Sequence, residues 1–254
     1  MMRVVKIGGR VQADLQLAAA IASAWQDAPG TVCFVHGGGD EVGAAQKSVG
    51  TPPSFVGGRR VTTEADLNIL RMVLSGSANK RLVSALVAEG LDAVGISGED
   101  AGLLVARVVD DPELGLVGEP ERVNTKLLLH LLSGGYLPIV SPVSCLKGST
   151  RGGALNVNGD DAAAAIAVAL GAGELLFVGD VPGVIELGSV IVSLDPATVY
   201  GLVARGTATG GMIAKLHAGL RAVEQGVGSV RIGDIDCLAN PDRGTTIHAE
   251  LCVS

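Results

Sequence analysis

Five short signals carry most of the reactive chemistry in this 254-residue chain: KIGG at Lys6 to Gly9, HGGG at His36 to Gly39, NVNGD at Asn156 to Asp160, GDVPGV at Gly179 to Val184 and GGMIAK at Gly210 to Lys215. Their residue types suit phosphoryl transfer, which asks a protein for positioning and charge stabilisation more than for covalent work. Glycine lets backbone N–H groups approach phosphate oxygens, and lysine neutralises the charge that builds on the transferring group. His36 to Gly39 stands between a strand pattern and a helix pattern, so its N–H groups would face an anion at a helix N-terminus. Lys6 lies inside an apolar strand, where its ammonium must either snorkel from a sheet edge or meet an anion. Lys215 stands one turn into a helix opened by Gly210 and Gly211, a position that also suits a solvated charge. Asp160 precedes an alanine-rich helix and reads as its N-cap. A carboxylate there could in addition hold two lysines in their charged form.

Several familiar arrangements are absent. A G-x-G-x-x-G reading from Gly37 and Gly39 meets Val42 where the third glycine belongs, and a Walker A reading around Lys47 and Ser48 has Gln46 in place of glycine. His36, His130, His217 and His248 have no metal-ligand spacing, and no Ser-His-Asp or Cys-His set stands out. Neither a protein-bound metal nor a nucleophile is expected. Arg60, beside Arg59 in GGRRVT, is either an ordinary exposed arginine or a fork for a substrate carboxylate. The segment Asp180 to Val184 has turn chemistry.

These residues need a rigid α/β frame. Apolar residues make up 48% of the chain and aromatics only 2%, so Ala, Val, Leu and Ile must build the core, as in buried parallel strands under small-residue helices. Strands are expected at Arg3 to Ile7, Thr31 to His36, Ala93 to Ser97, Leu137 to Ser141, Glu174 to Val178 and Ser229 to Ile232. Helices are expected at Leu15 to Trp25, Glu64 to Ser75, Ala78 to Glu89, Leu127 to Ser133, Ala162 to Leu170, Pro196 to Arg205 and Met212 to Glu224. Gly102 to Val123 alternates in short segments and reads as inserted antiparallel hairpins. A soft boundary near Gly171 separates residues 1–170 from 171–254, with one sheet running through both.

A formal charge of -7, from 19 basic and 26 acidic residues, gives no footprint for nucleic acid or an anionic membrane. Cys33, Cys145, Cys237 and Cys252 lack C-x-x-C spacing and are expected to be small buried hydrophobes in a reducing cytoplasm. No signal peptide or spanning segment is expected.

Taken in order, the motifs resemble the amino acid kinase family from Lys6 to about Gly233. The likeness extends through RVT at Arg60 to Thr62, AVGISGEDAGL at Ala93 to Leu103, LGLVGE at Leu114 to Glu119, GYLPIVSP at Gly135 to Pro142 and LNVNGDDAA at Leu155 to Ala163. It implies a three-layer α/β/α sandwich with a mainly parallel central sheet and β-hairpin insertions, residues 1–170 taking the amino acid and 171–254 taking ATP. Lys6 and Lys215 would neutralise the phosphoryl group, with Asp160 organising both. Gly38, Gly39, Arg60 and Asn156 would bind the acceptor. Gly8, Gly9, Asp180, Val181, Gly183, Gly211 and Met212 would border the nucleotide, whose phosphates would carry Mg²⁺.

The acceptor implied is the side-chain carboxylate of N-acetyl-L-glutamate, as in arginine biosynthesis. Such a carboxylate, with a pKa near ~4.3, is already ionised at pH 7 and needs no general base. Alternatives are an N-succinyl or carrier-linked glutamate or aminoadipate, or a non-catalytic amino-acid-binding regulator on the same fold. Relative to the usual Asn-Gly-Leu-Arg-Val-Thr, the run Gly57 to Thr62 loses an Asn and gains Arg59, which is expected to face solvent. Glu99 stands where Lys is common, and Gly179 where Thr is usual. Arginine-inhibited relatives carry an extra N-terminal helix for which no residues precede the first strand here, so the resemblance implies an arginine-insensitive homodimer.

Overall fold

β-Branched and leucine-rich runs that alternate between two apolar environments set the architecture. The computed structural model describes residues 1–150 and 152–249, and Cys252 lies outside them. Its strands begin with Arg3–Ile7 (β1), Val32–His36 (β2), Phe55–Val56 (β3), Arg59–Arg60 (β4), Ala93–Gly98 (β5), Leu104–Val108 (β6), Val117–Val123 (β7) and Leu137–Leu146 (β8). They continue with Ala154–Val157 (β9), Glu174–Val178 (β10), Ile185–Glu186 (β11), Ser189–Val190 (β12), Ser193–Leu194 (β13), Ser229–Gly233 (β14) and Thr245–Ile247 (β15). Eleven of them form one sheet, in the order β13-β15-β14-β10-β1-β2-β8-β6-β7-β9 with β5 also on β8. Pairing is parallel through β14, β10, β1, β2 and β8, and antiparallel where β6 meets β7, β8 meets β9 and β14 meets β15.

Along β1, Val5 and Ile7 face one core with Phe34, Leu176 and Val178, while Val4 faces another with Val35, Leu175 and Phe177. This period-two division requires helices on both faces. They are Leu17–Asp27 (α1), Gly39–Ser48 (α2), Glu64–Leu70 (α3), Asn79–Ala88 (α4), Thr125–Ser133 (α5), Gly159–Ala169 (α6), Pro196–Ala204 (α7) and Gly211–Glu224 (α8). Ala162, Ala163, Ala164 and Ala167 give α6 a narrow face that is buried beneath α8 and over β1 and β2. Trp25, the single tryptophan, is buried in the opposite core with α1 and α4. The three-layer sandwich and its antiparallel insertion are as expected, and the sheet is continuous across Gly171.

The two helices expected between Glu64 and Glu89 form a single rod. A capping box between Thr63 and Asp66 starts it, and the π-helical stretch Arg71–Ala78 joins α3 to α4. Cys33 and Cys237 are buried, whereas Cys145 is half-buried. Among the described residues no helix is long and apolar enough to cross a membrane.

Candidate active site

The site is organised at the N-terminus of α6. Asn158 Oδ1 accepts the Asp160 N–H at 2.7 Å and caps the helix. This corrects the expected role of Asp160 as the cap: it is the second residue of α6, and its carboxylate is committed elsewhere. Asp160 Oδ1 lies 2.8 Å from Lys6 Nζ, and Oδ2 lies 3.5 Å from Lys215 Nζ. Lys6 comes from the end of β1, which is central, so snorkelling from an edge is excluded. Lys215 comes from the first turns of α8. Gly159 admits the arrangement, since a Cβ there would stand 3.3 Å from Lys6 Cε.

Burial alone would push the Asp160 carboxyl up, but the two lysines outweigh it and hold the group below its ordinary value. Burial, helped by the charge of Lys6, draws Lys215 down from its usual 10.5 despite the opposing pull of Asp160. The outcome is two cations bound to one anion at the floor of a cleft.

Two cavities meet on this trio. One, of about 280 Å³, is lined by Gly38, Gly39, Arg60, Asn156 and Asp160. The other, of about 510 Å³, is lined by Gly8, Gly9, Asp180, Val181, Gly211 and Met212. Lys6, Gly9, Gly39, Gly211 and Lys215 line both. The first two glycine turns touch through their backbones, because a Cβ on Gly9 would lie 3.1 Å from Gly38 N. Gly38 is itself closed in by the π-helical stretch, where Leu74 Cδ2 would be 2.7 Å from an added Cβ. Gly183 stands apart from both cavities, and its missing side chain leaves room for Val190 and Thr245.

On the first cavity's wall, Arg60 donates to Gln46 Oε1 and to the Gly39 carbonyl at 2.8 Å, with its guanidinium 4.9 Å from the Phe55 ring centre. Asn156 Nδ2 donates to Thr62 Oγ1 at 2.9 Å. Arg59 does not face solvent as expected: it is partly buried, 3.5 Å from both Glu119 and Asp161. Glu99 accepts two hydrogen bonds from Arg71, at 3.0 and 2.6 Å, which accounts for an acid at that position. Sequence reasoning missed Arg10, which bridges Asp40 and Asp180 at the mouth of the second cavity. Its hydrogen bond holds the Asp180 carboxyl below its usual range. Gly159 and the cap Asn158 were also legible only as parts of NVNGD.

His36 is fully buried at the end of β2. Its Nδ1–H donates to the Gly37 carbonyl at 2.9 Å and its Nε2 accepts from Asn79 at 3.1 Å, a pairing that fixes the neutral ring and pins the glycine turn. Burial pulls its pKa from 6.5 down to about 4. The unfolded chain therefore takes up a proton that the folded chain refuses, and stability is lost as pH falls from 6.5 towards 4. We expect this to cost on the order of 3 kcal/mol. In urea titrations at stepwise lower pH, the stability advantage of wild type over His36→Gln should shrink across that window, and a constant difference would contradict the assignment.

Among known proteins, the amino acid kinase family model matches residues 1–234. The chain is 41% identical over 249 residues to acetylglutamate kinase of Roseiflexus sp. (strain RS-1), covering 97% of this chain and 93% of that protein. It is 42% identical over 251 residues to acetylglutamate kinase of Chloroflexus aurantiacus, covering 98% and 97%. A crystal structure from Streptococcus mutans UA159 superposes with a TM-score of 0.88 at 30% identity, covering 97% of this chain and 98% of that one. Carbamate kinase from Giardia lamblia, at 16% identity and a TM-score of 0.71, shares the fold over 98% of each chain.

Proposed function

The chain belongs to the amino acid kinase family, and from that premise we propose that it transfers the γ-phosphoryl group of ATP to the side-chain carboxylate of N-acetyl-L-glutamate, yielding N-acetyl-L-glutamyl 5-phosphate for arginine biosynthesis. The observation that carries this is the meeting of two cavities on Lys6 and Lys215. A nucleotide in the larger cavity and an acceptor in the smaller would have their reacting groups on either side of the lysine pair. That is the disposition an in-line transfer needs.

An acceptor carboxylate oxygen attacks the γ-phosphorus, its bond to the β-γ bridging oxygen breaks, and ADP leaves. Two like charges ~4 Å apart oppose each other by about 4 kcal/mol at an effective dielectric of 20, and the two ammonium groups offset that repulsion. N–H groups of the touching glycine turns supply donors to phosphate oxygens. Asp160 already serves two lysines, and among the described residues no cluster of three or more His, Cys, Asp or Glu side chains could hold a metal ion. A divalent cation fits best on the nucleotide phosphates; we take it to be Mg²⁺, which there would withdraw charge from the β- and γ-oxygens. Residues 1–170 would serve the acceptor and 171–254 the nucleotide, in a cytoplasmic homodimer whose mass light scattering would establish.

The pairing of Arg59 with Glu119 and Asp161 favours the acetylated acceptor. Its charge is already met by Glu119 and Asp161, so Arg59 is not held in reserve for the extra carboxylate of a succinyl group. A hydroxylamine trap with ATP and a panel of acceptors tests the proposal: acyl hydroxamate should form fastest from N-acetyl-L-glutamate. In the same assay Arg59→Leu should weaken every acceptor alike. A tenfold preference for the succinylated or carrier-linked acceptor, abolished by Arg59→Leu, would overturn the choice.

A further inference from the structure

Beside Asp160, the next residue of α6 repeats its bridging role one step outward. Asp161 Oδ1 pairs with Arg221, six residues beyond Lys215 on α8, and Asp161 Oδ2 lies 3.5 Å from Arg59. Arg59 belongs to the β3–β4 hairpin, which stands off the main sheet as a separate two-stranded ribbon. That ribbon turns on Gly57 and Gly58, both with positive φ, and carries Arg60 into the acceptor cavity on the residue after Arg59. The ribbon therefore has two ties to the body of the protein near the site. Arg60 holds it to Gly39 and Gln46, and Arg59 holds it to Asp161 and Glu119.

These ties differ in where they lead. Glu119 lies on β7 and, among the described residues, is shared only with Arg107, so it anchors the ribbon to the sheet. Asp161 passes the contact to α8, the helix that carries Lys215 and opens at Gly211 and Met212 on the nucleotide side. Its side chain is 12% exposed, so this bridge is screened by solvent less than a surface pair.

Resting on the kinase reading, we infer that Asp161 is a positioning residue that couples the acceptor ribbon to α8, so that each substrate binds more tightly when the other is present. Any shift of α8 on binding nucleotide moves Arg221, and with it the anion to which Arg59 and its ribbon are tied. Coupling of this kind is reciprocal and costs nothing in new contacts to either substrate.

Calorimetry of the full chain with N-acetyl-L-glutamate, in the absence and presence of Mg²⁺ and a non-hydrolysable ATP analogue, tests it. Wild type should bind the acceptor about tenfold more tightly with the nucleotide analogue bound, a coupling within the usual range. Asp161→Asn should lose most of that gain, and Arg221→Gln, which alters the other end of the bridge at a half-exposed site, should reproduce the loss. Glu119→Gln should weaken acceptor binding equally with and without nucleotide, keeping the gain. An undiminished gain in both Asp161→Asn and Arg221→Gln overturns the inference, as does a wild type that turns over N-acetyl-L-glutamate but shows no coupling. A wild type that neither binds nor turns over that acceptor overturns the kinase reading first and the inference with it.

Discussion

Replacing Lys215 with alanine is expected to lower kcat by roughly 10²–10³-fold, the scale of losing one transition-state electrostatic contact, while the KM for ATP rises far less. The ammonium stands at the junction of the two cavities, where charge accumulates only as the phosphoryl group moves. Asp160 keeps its closer partner Lys6 at 2.8 Å, so the fold should survive the change. Lys6→Ala should lower kcat similarly but at a greater cost in stability, since it removes that closer partner. Steady-state kinetics on variants of wild-type circular dichroism would decide, and unaltered turnover in either would remove that lysine from the mechanism.

Asp160→Asn should be nearly as damaging and for a different reason. The helix cap stays intact because Asn158 provides it. What goes is the buried carboxylate that pairs with the buried Lys6 and the partly buried Lys215, and breaking such a set from one side should destabilise the protein by about 3 kcal/mol. For a domain of this size that lowers Tm by roughly 6–12 °C. The lysines would then repel each other with only the weaker pull of Asp180 on Lys215 to oppose it, and Lys215, already drawn below 10.5, would lose its proton at still lower pH. The alkaline limb of kcat/KM should accordingly move down in pH, a shift that a purely structural role would not produce. A variant of normal stability with an unmoved alkaline limb would show that Asp160 does not organise the lysines.

The frame was legible wherever local pattern and tertiary demand agree. Runs such as VCFV and LLFV are short and apolar at consecutive positions, which suits a strand covered on both faces, and the structure uses them so. Lys6 was legible because a charge inside an apolar strand needs a reason, whereas Lys215 read by itself as a solvated helix charge and gained a role only through the family resemblance. Asn158 and Asp160 are both good caps two residues apart, and only the geometry of the turn chooses between them. Arg59 was misread because its partners, Glu119 and Asp161, lie on β7 and α6, and no local spacing announces a contact between elements so distant in the chain. The π-helical stretch left no signal either, since widening one turn changes hydrogen-bond partners without changing residue preference.

The position of the lone tryptophan sets what optical methods can see. Trp25 sits in the core shared by α1 and α4, on the opposite side of the sheet from α6 and α8. Its emission therefore reports whether that remote layer is assembled and stays silent about events at the lysines. Intrinsic fluorescence makes this protein a good subject for unfolding curves and a poor one for ligand titrations, and a dye or an introduced indole on the β3–β4 ribbon would be needed to watch substrates arrive.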